Sequence, residues 1–150
     1  MNEISLIYKF LIEHFKNDLL VNTITILPTL EMDLNKENVY PLVNLDLKET
    51  SPAYDNIEAQ FTITILQQRD VNAKKIDNKL LTNTNYVDNL NETHSIGMKL
   101  INRLEKQNNE ENVEVSTYTN FRILKDYGMS GLDGVQFDID LVVENLGSGC

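Results

Sequence analysis

From Val135 to Val143 every second residue is apolar: Val135, Phe137, Ile139, Leu141 and Val143 alternate with Gln136, Asp138, Asp140 and Val142. A period of two sends alternate side chains to opposite faces of a strand. GVQFDIDLVVEN (134–145) therefore reads as a β-strand with one face to bury and another carrying Asp138, Asp140 and Glu144. Phe61, Ile63 and Ile65 alternate with Thr62 and Thr64 in the same way, and Val43, Leu45 and Leu47 form one face of a strand over 39–47. Pro41 stands near the start of that strand, where a missing N–H is tolerated. A short β-branched run, 23–27, ends at Pro28, and SPAYDN (51–56) reads as a turn. Val113, Val115, Thr117, Thr119, Phe121 and Ile123 alternate as a single strand. DYGMSGLDG (126–134) is rich in turn residues, so this strand and the last are expected to form an antiparallel hairpin.

Two stretches keep helical spacing. Ile4, Ile7, Leu11 and Phe15, broadened by Leu6, Phe10 and Leu19, form a stripe that fades near Asn17-Asp18. Asn89 followed by Glu92 resembles a helix start, with Asn as the cap, and Leu90, Gly97, Leu100, Ile101 and Leu104 continue a helical face to about Lys106. The stretch 69–86 between strand and helix is irregular, and a connection of that length suggests an extended loop or arm. The predicted order is α-β-β-β-α-β-β. It defines an α+β fold in a single domain, 1–150, with an antiparallel or mixed sheet of about five strands and two helices packed on one face. Residues 146–150 are expected to form a flexible tail.

Composition narrows the function classes. The net charge of −10 argues against wrapping nucleic acid by phosphate neutralisation and against an anionic membrane surface. Lys125 is the last base, and Asp126, Asp133, Asp138, Asp140 and Glu144 follow it with nothing to offset them in sequence. Cys150 is the only cysteine, so no internal disulfide forms and a reducing cytoplasm suits the chain. The first residues lack a signal-peptide pattern, and no apolar run approaches a membrane span. Nineteen asparagines punctuate the periodic segments, where Asn favours turns and caps. Asn91-Glu92-Thr93 matches a glycosylation sequon and is read as chance.

Candidate chemistry is sparse. His14 and His94 have no cysteine or paired acid at metal-ligand spacing, so both read as structural or surface residues. Gly128, Gly131 and Gly134 lead into a strand with no following Lys, which describes a hairpin turn rather than a phosphate cradle. Asp138 and Asp140 share a strand face within roughly 7 Å, the kind of pair glycosidases and two-metal sites use. They lack a supporting His or Lys in their segment and read as solvated acids. No catalytic, metal or cofactor-binding residue is assigned, and the chain is expected not to be an enzyme. Lys74, Lys75 and Lys79 form a basic cluster, read as a solvated loop or as a contact for an acidic neighbour such as another copy.

VNT (21–23), DLNK (33–36), VYPLVNL (39–45) and the closing LDGVQFDIDLVVEN with its final cysteine resemble a family of small proteins from tailed phages of Bacteroidetes, including crAss-like phages. The order of elements is similar to that of tail-terminator, or tail-completion, proteins. The resemblance spans nearly the whole chain; the length of 69–86 and GMSG (128–131) depart from it. It implies a structural virion protein, made in the host cytoplasm, that forms a homo-oligomeric ring in the neck or tail. Such a ring joins portal-side and tail components around a channel through which DNA passes without specific binding. A soluble ring subunit closes by head-to-tail contacts of mixed polarity. The expected contact residues are Asp33, Asn35, Lys36, Arg69, Lys74, Lys75, Lys79, Tyr127 and Met129. Asp138, Asp140 and Glu144 are candidates to face the channel, the other reading being that their face meets water or lies under another element. The alternative is a small α+β adaptor or regulatory binding module.

Overall fold

The computed structural model describes residues 3–29, 39–52, 56–69, 85–106, 113–127 and 131–144. Helix α1 is Glu3–Lys16, followed by strands β1 (Thr23–Thr25), β2 (Leu42–Pro52) and β3 (Asn56–Gln68). Helix α2 is Tyr86–Glu105, and β4 (Val113–Tyr118), β5 (Arg122–Tyr127) and β6 (Leu132–Glu144) close the order. The protein is α+β, with two helices and a six-stranded mixed sheet ordered β1-β2-β3-β6-β4, β5 also pairing with β6. β1 runs parallel to β2, and the remaining pairs are antiparallel.

The sequence of elements is α-β-β-β-α-β-β-β, one strand more than the periodicity predicts. The alternation from Val113 to Ile123 looks continuous, yet the strand breaks at Thr119–Phe121. β4 pairs with Ile139–Val143 and β5 with Leu132–Gln136, so both lie along the same edge of β6. A register shift between Val115 and Thr117 separates the inward positions before and after it. Thr119 keeps contact through the break: its N–H donates to Asp138 O, and its hydroxyl accepts from Asp138 N–H. Phe121 then stacks on Phe137 with ring centres 4.4 Å apart. Further boundaries differ. Asp126 and Tyr127 belong to β5 and Leu132, Asp133 and Gly134 to β6, so the turn between them is shorter than 126–134. Ser51, Pro52 and Asn56 belong to extended strands rather than a turn. Helix α2 starts one turn before Asn89, which lies buried within it, and Asn85 stands at the cap position.

Cross-strand register explains the core. Val43–Ile65–Val135, Leu45–Ile63–Phe137 and Leu47–Phe61–Ile139 form apolar rows across β2, β3 and β6. They meet Ile7, Phe10, Leu11 and Phe15 of α1 and Ile96, Leu100, Ile101 and Leu104 of α2 in one cluster, so both helices cover the same face. Each fully buried aliphatic or aromatic side chain contributes about 1.5–3 kcal/mol. Two glycines permit the close approaches. A Cβ on Gly134 would stand 1.8 Å from the Ile65 carbonyl oxygen, where β6 and β3 meet, and one on Gly97 would press Phe121 at 2.9 Å. Gly131, at φ +65°, enters the final strand in the left-handed region that favours glycine.

Candidate functional site

The opposite face of the sheet is graded from apolar to acidic. Leu42 and Leu66 are neighbours at one end and pack with Tyr40 and Leu132, with Leu124 and Tyr127 alongside. The next row, Asn44–Thr64–Gln136, is neutral and polar, followed by Asp46–Thr62–Asp138 and Glu49–Gln60–Asp140. Asn44 and Thr64 are fully buried, so this face is not simply hydrated. Part of the cover comes from the chain after β1. Asn44 Oδ1 accepts from Thr25 Oγ1 and Leu27 N–H, and Asn44 Nδ2 donates to Leu27 O. Asp46 Oδ2 accepts from both the N–H and the hydroxyl of Thr29, with Lys48 Nζ at 2.7 Å.

The acids singled out by the alternation have different surroundings. Asp138 is half-buried, accepts from Thr62 Oγ1 at 2.7 Å and pairs with Arg122 at 3.3 Å. Burial pushes its carboxyl up, but hydrogen bonds from Thr62 and Arg122 overcome this and hold it below the usual carboxylate value. Asp46 behaves alike: burial opposes ionisation, and Lys48 and Thr29 prevail. Asp140 accepts from Thr117 at 2.7 Å and, with Glu49 and Glu58, lines a hollow of about 80 Å³. Glu144 pairs through its backbone position with Asn56; its side chain lies outside the described residues.

Asp133 has the inward parity of Val135 and Phe137 and no exposed surface. Its carboxylate accepts from Arg69 Nε at 3.0 Å and, through Oδ1, from Arg69 Nη2 at 2.5 Å. Asp126 N–H and Asn89 Nδ2 complete its partners at 3.1 and 3.4 Å. Asp126 reaches that position with φ +54°, beside the register shift in β5. Arg69 also lies over the Tyr86 ring at 5.5 Å, and Asn85 and Asn89 both reach the Gln68 carbonyl. The network ties the end of β3 to the start of α2. Arg69, expected at a subunit contact, therefore has its charge matched inside the chain. Tyr127 is half-buried against the Tyr40–Leu132 cluster. Asp33, Asn35, Lys36, Lys74, Lys75, Lys79 and Met129 lie outside the described residues. Asp133 and Asp138, unopposed in sequence, are opposed in space by Arg69 and Arg122.

A second polar cluster, not singled out by the sequence reading, lies between the end of α1 and α2. His14, Asn17, Asp18, Leu19, Leu20, Lys99 and Arg103 line a groove of about 570 Å³. Arg103 lies 4.6 Å over the Phe10 ring and donates to His14 Nδ1 at 3.1 Å. Burial, then Arg103, lower the His14 pKa to about 4. Arg103 and Lys99 are one turn apart on α2, a spacing visible in the sequence. Their meeting with His14, 89 residues from Arg103, is not. Among the described residues no group of three or more His, Cys, Asp or Glu side chains is arranged to hold a metal ion, and no helix is long and apolar enough to cross a membrane. No protein-family model matches the chain, and no curated protein matches it.

Proposed function

We propose that this protein is a structural subunit of a tailed double-stranded-DNA phage, forming a ring in the neck or tail that joins portal-side and tail components. The sequence resemblance supports this reading, and one structural observation carries it at the level of contacts. The sheet has two unlike edges among the described residues, and each exposes apolar side chains. β1 ends one edge, with Ile26 and Leu27 exposed just after it. β4 and β5 form the other, with Tyr118 and Ile123 exposed. Unlike edges suit a head-to-tail contact that closes by rotation, and pairing them removes an aggregation liability. On this reading Asp140, beside Glu49 and Glu58, supplies the charge that keeps passing DNA from sticking.

Antibody labelling of purified virions in electron micrographs tests the proposal. Label at the neck or upper tail is the expected result; recovery solely from the soluble fraction of infected cells overturns it. The adaptor reading is favoured by a different observation, the groove between α1 and α2, whose walls combine cations with exposed leucines.

A further inference from the structure

We propose that the groove between the end of α1 and α2 is a binding site for a small organic monocarboxylate with an apolar body. The inference goes beyond the ring reading and does not depend on it. Lys99 and Arg103 stand one turn apart on α2 and both line the groove. Arg103 is held in place from below: its guanidinium lies over the buried Phe10 ring and uses one N–H on His14 Nδ1. A guanidinium cannot accept a hydrogen bond, so His14 Nδ1 is the acceptor and the neutral ring carries its proton on Nε2. Among the described residues, that buried Nε2 has no hydrogen-bond partner. The low His14 pKa keeps this tautomer neutral at pH 7.

Charge selects the ligand class. Asp18 is almost wholly buried, accepts from Leu20 N–H and pairs with Lys99 at 3.3 Å. With Lys99 and Arg103 charged and His14 neutral, the groove carries one net positive charge. A monoanion matches it, whereas a phosphate dianion brings a second charge toward Asp18. An anchored guanidinium also presents the planar fork that suits a carboxylate. The walls select the rest of the molecule. Leu19 is 97% exposed, the largest exposure among the described large hydrophobics, and Leu20 stands beside it. The volume falls within the range of small-molecule sites.

The test is calorimetric titration of the full chain with hexanoate, acetate, hexanol, inorganic phosphate and hexylamine. Hexanoate is expected to bind, and hexanol to bind at least about tenfold more weakly, because a hydrogen bond to a charged group contributes more than one to a neutral group. Phosphate and hexylamine are expected not to compete. Arg103→Met keeps the packing on Phe10 while removing the charge and should weaken hexanoate by about tenfold or more. Lys99→Met, at a half-exposed position, provides a second charge variant; it also removes the cation beside Asp18, so circular dichroism accompanies the titration to show that it stays folded. Leu19→Ser should weaken hexanoate but leave acetate unaffected. Equal binding of hexanol and hexanoate overturns the proposal, as does hexanoate affinity unchanged in both charge variants. Concentration-dependent self-association abolished by Lys99→Met also overturns it, by assigning the groove to a second copy.

Discussion

At the scale of single residues, the protein places its charges against specific partners, and these pairs make its stability depend on pH in two windows. His14 titrates near 4 in the folded chain and near 6.5 when unfolded. The unfolded state therefore binds more protons between those values, so stability is complete above pH 6.5 and falls as pH drops toward 4. The loss is on the order of 3 kcal/mol. Lys99, Arg103 and Asp18 are the charged groups that face the ring. His14→Phe should flatten that window in urea titrations at a series of pH values. Asp46 and Asp138, held below the usual carboxylate range, contribute stability above that range and lose it as they protonate on further acidification. Asp133 makes a different prediction. Asp133→Ala leaves the Arg69 guanidinium mostly buried without its carboxylate and should cost about 3–5 kcal/mol by chemical denaturation. Replacing both by apolar residues should cost less than the sum of the single changes, because neither charge is then left alone.

At the scale of elements, local pattern and tertiary contact diverge at identifiable places. Helix α1 and the stretch of β6 from Val135 to Val143 were legible because their apolar positions keep one period; Leu132 and Asp133, which begin β6, break it. The start of α2 was not: Asn89 and Glu92 have cap-like spacing, but the Asn89 side chain reaches Gln68 O and Asp133, partners far away in sequence. The break between β4 and β5 was hidden because a register shift leaves the alternating composition intact. Of the candidate site residues, spacing correctly placed Asp138 and Asp140 on one strand face, but Arg122 and Thr117 reach them from a neighbouring edge. The contact between α2 and the β4–β5 edge depends on Gly97 fitting beneath Phe121. Gly97→Ala should cost about 1–3 kcal/mol from crowding. In a Phe121→Ala background the same change should cost less, with only the Phe137 ring at 3.2 Å left to give way. Gly134→Ala should be far worse than Gly97→Ala, because its obstacle is the Ile65 backbone rather than a movable ring. Thermal unfolding of the four variants checks the order.

At the scale of the molecule, the two sheet edges make a prediction specific to the ring reading. Ile26→Asp and Ile123→Asp lie at opposite edges and are both exposed, so each should leave the monomer folded by circular dichroism. Each should nevertheless prevent incorporation into particles when supplied in place of the native chain during infection. Mixing the two variants should restore nothing, because a closed ring needs both edges on every subunit. Incorporation of both at native levels would remove these edges from the contact.

The position of β6 has a consequence for biosynthesis. Three strands, β3, β4 and β5, pair with it, yet it emerges from the ribosome after all of them. Until then Phe61, Ile63 and Ile65 have a neighbour on one side only. The β2–β3 hairpin therefore waits from residue 68 until residue 132 for its third strand, and chains terminated before Leu132 should fail to complete the sheet.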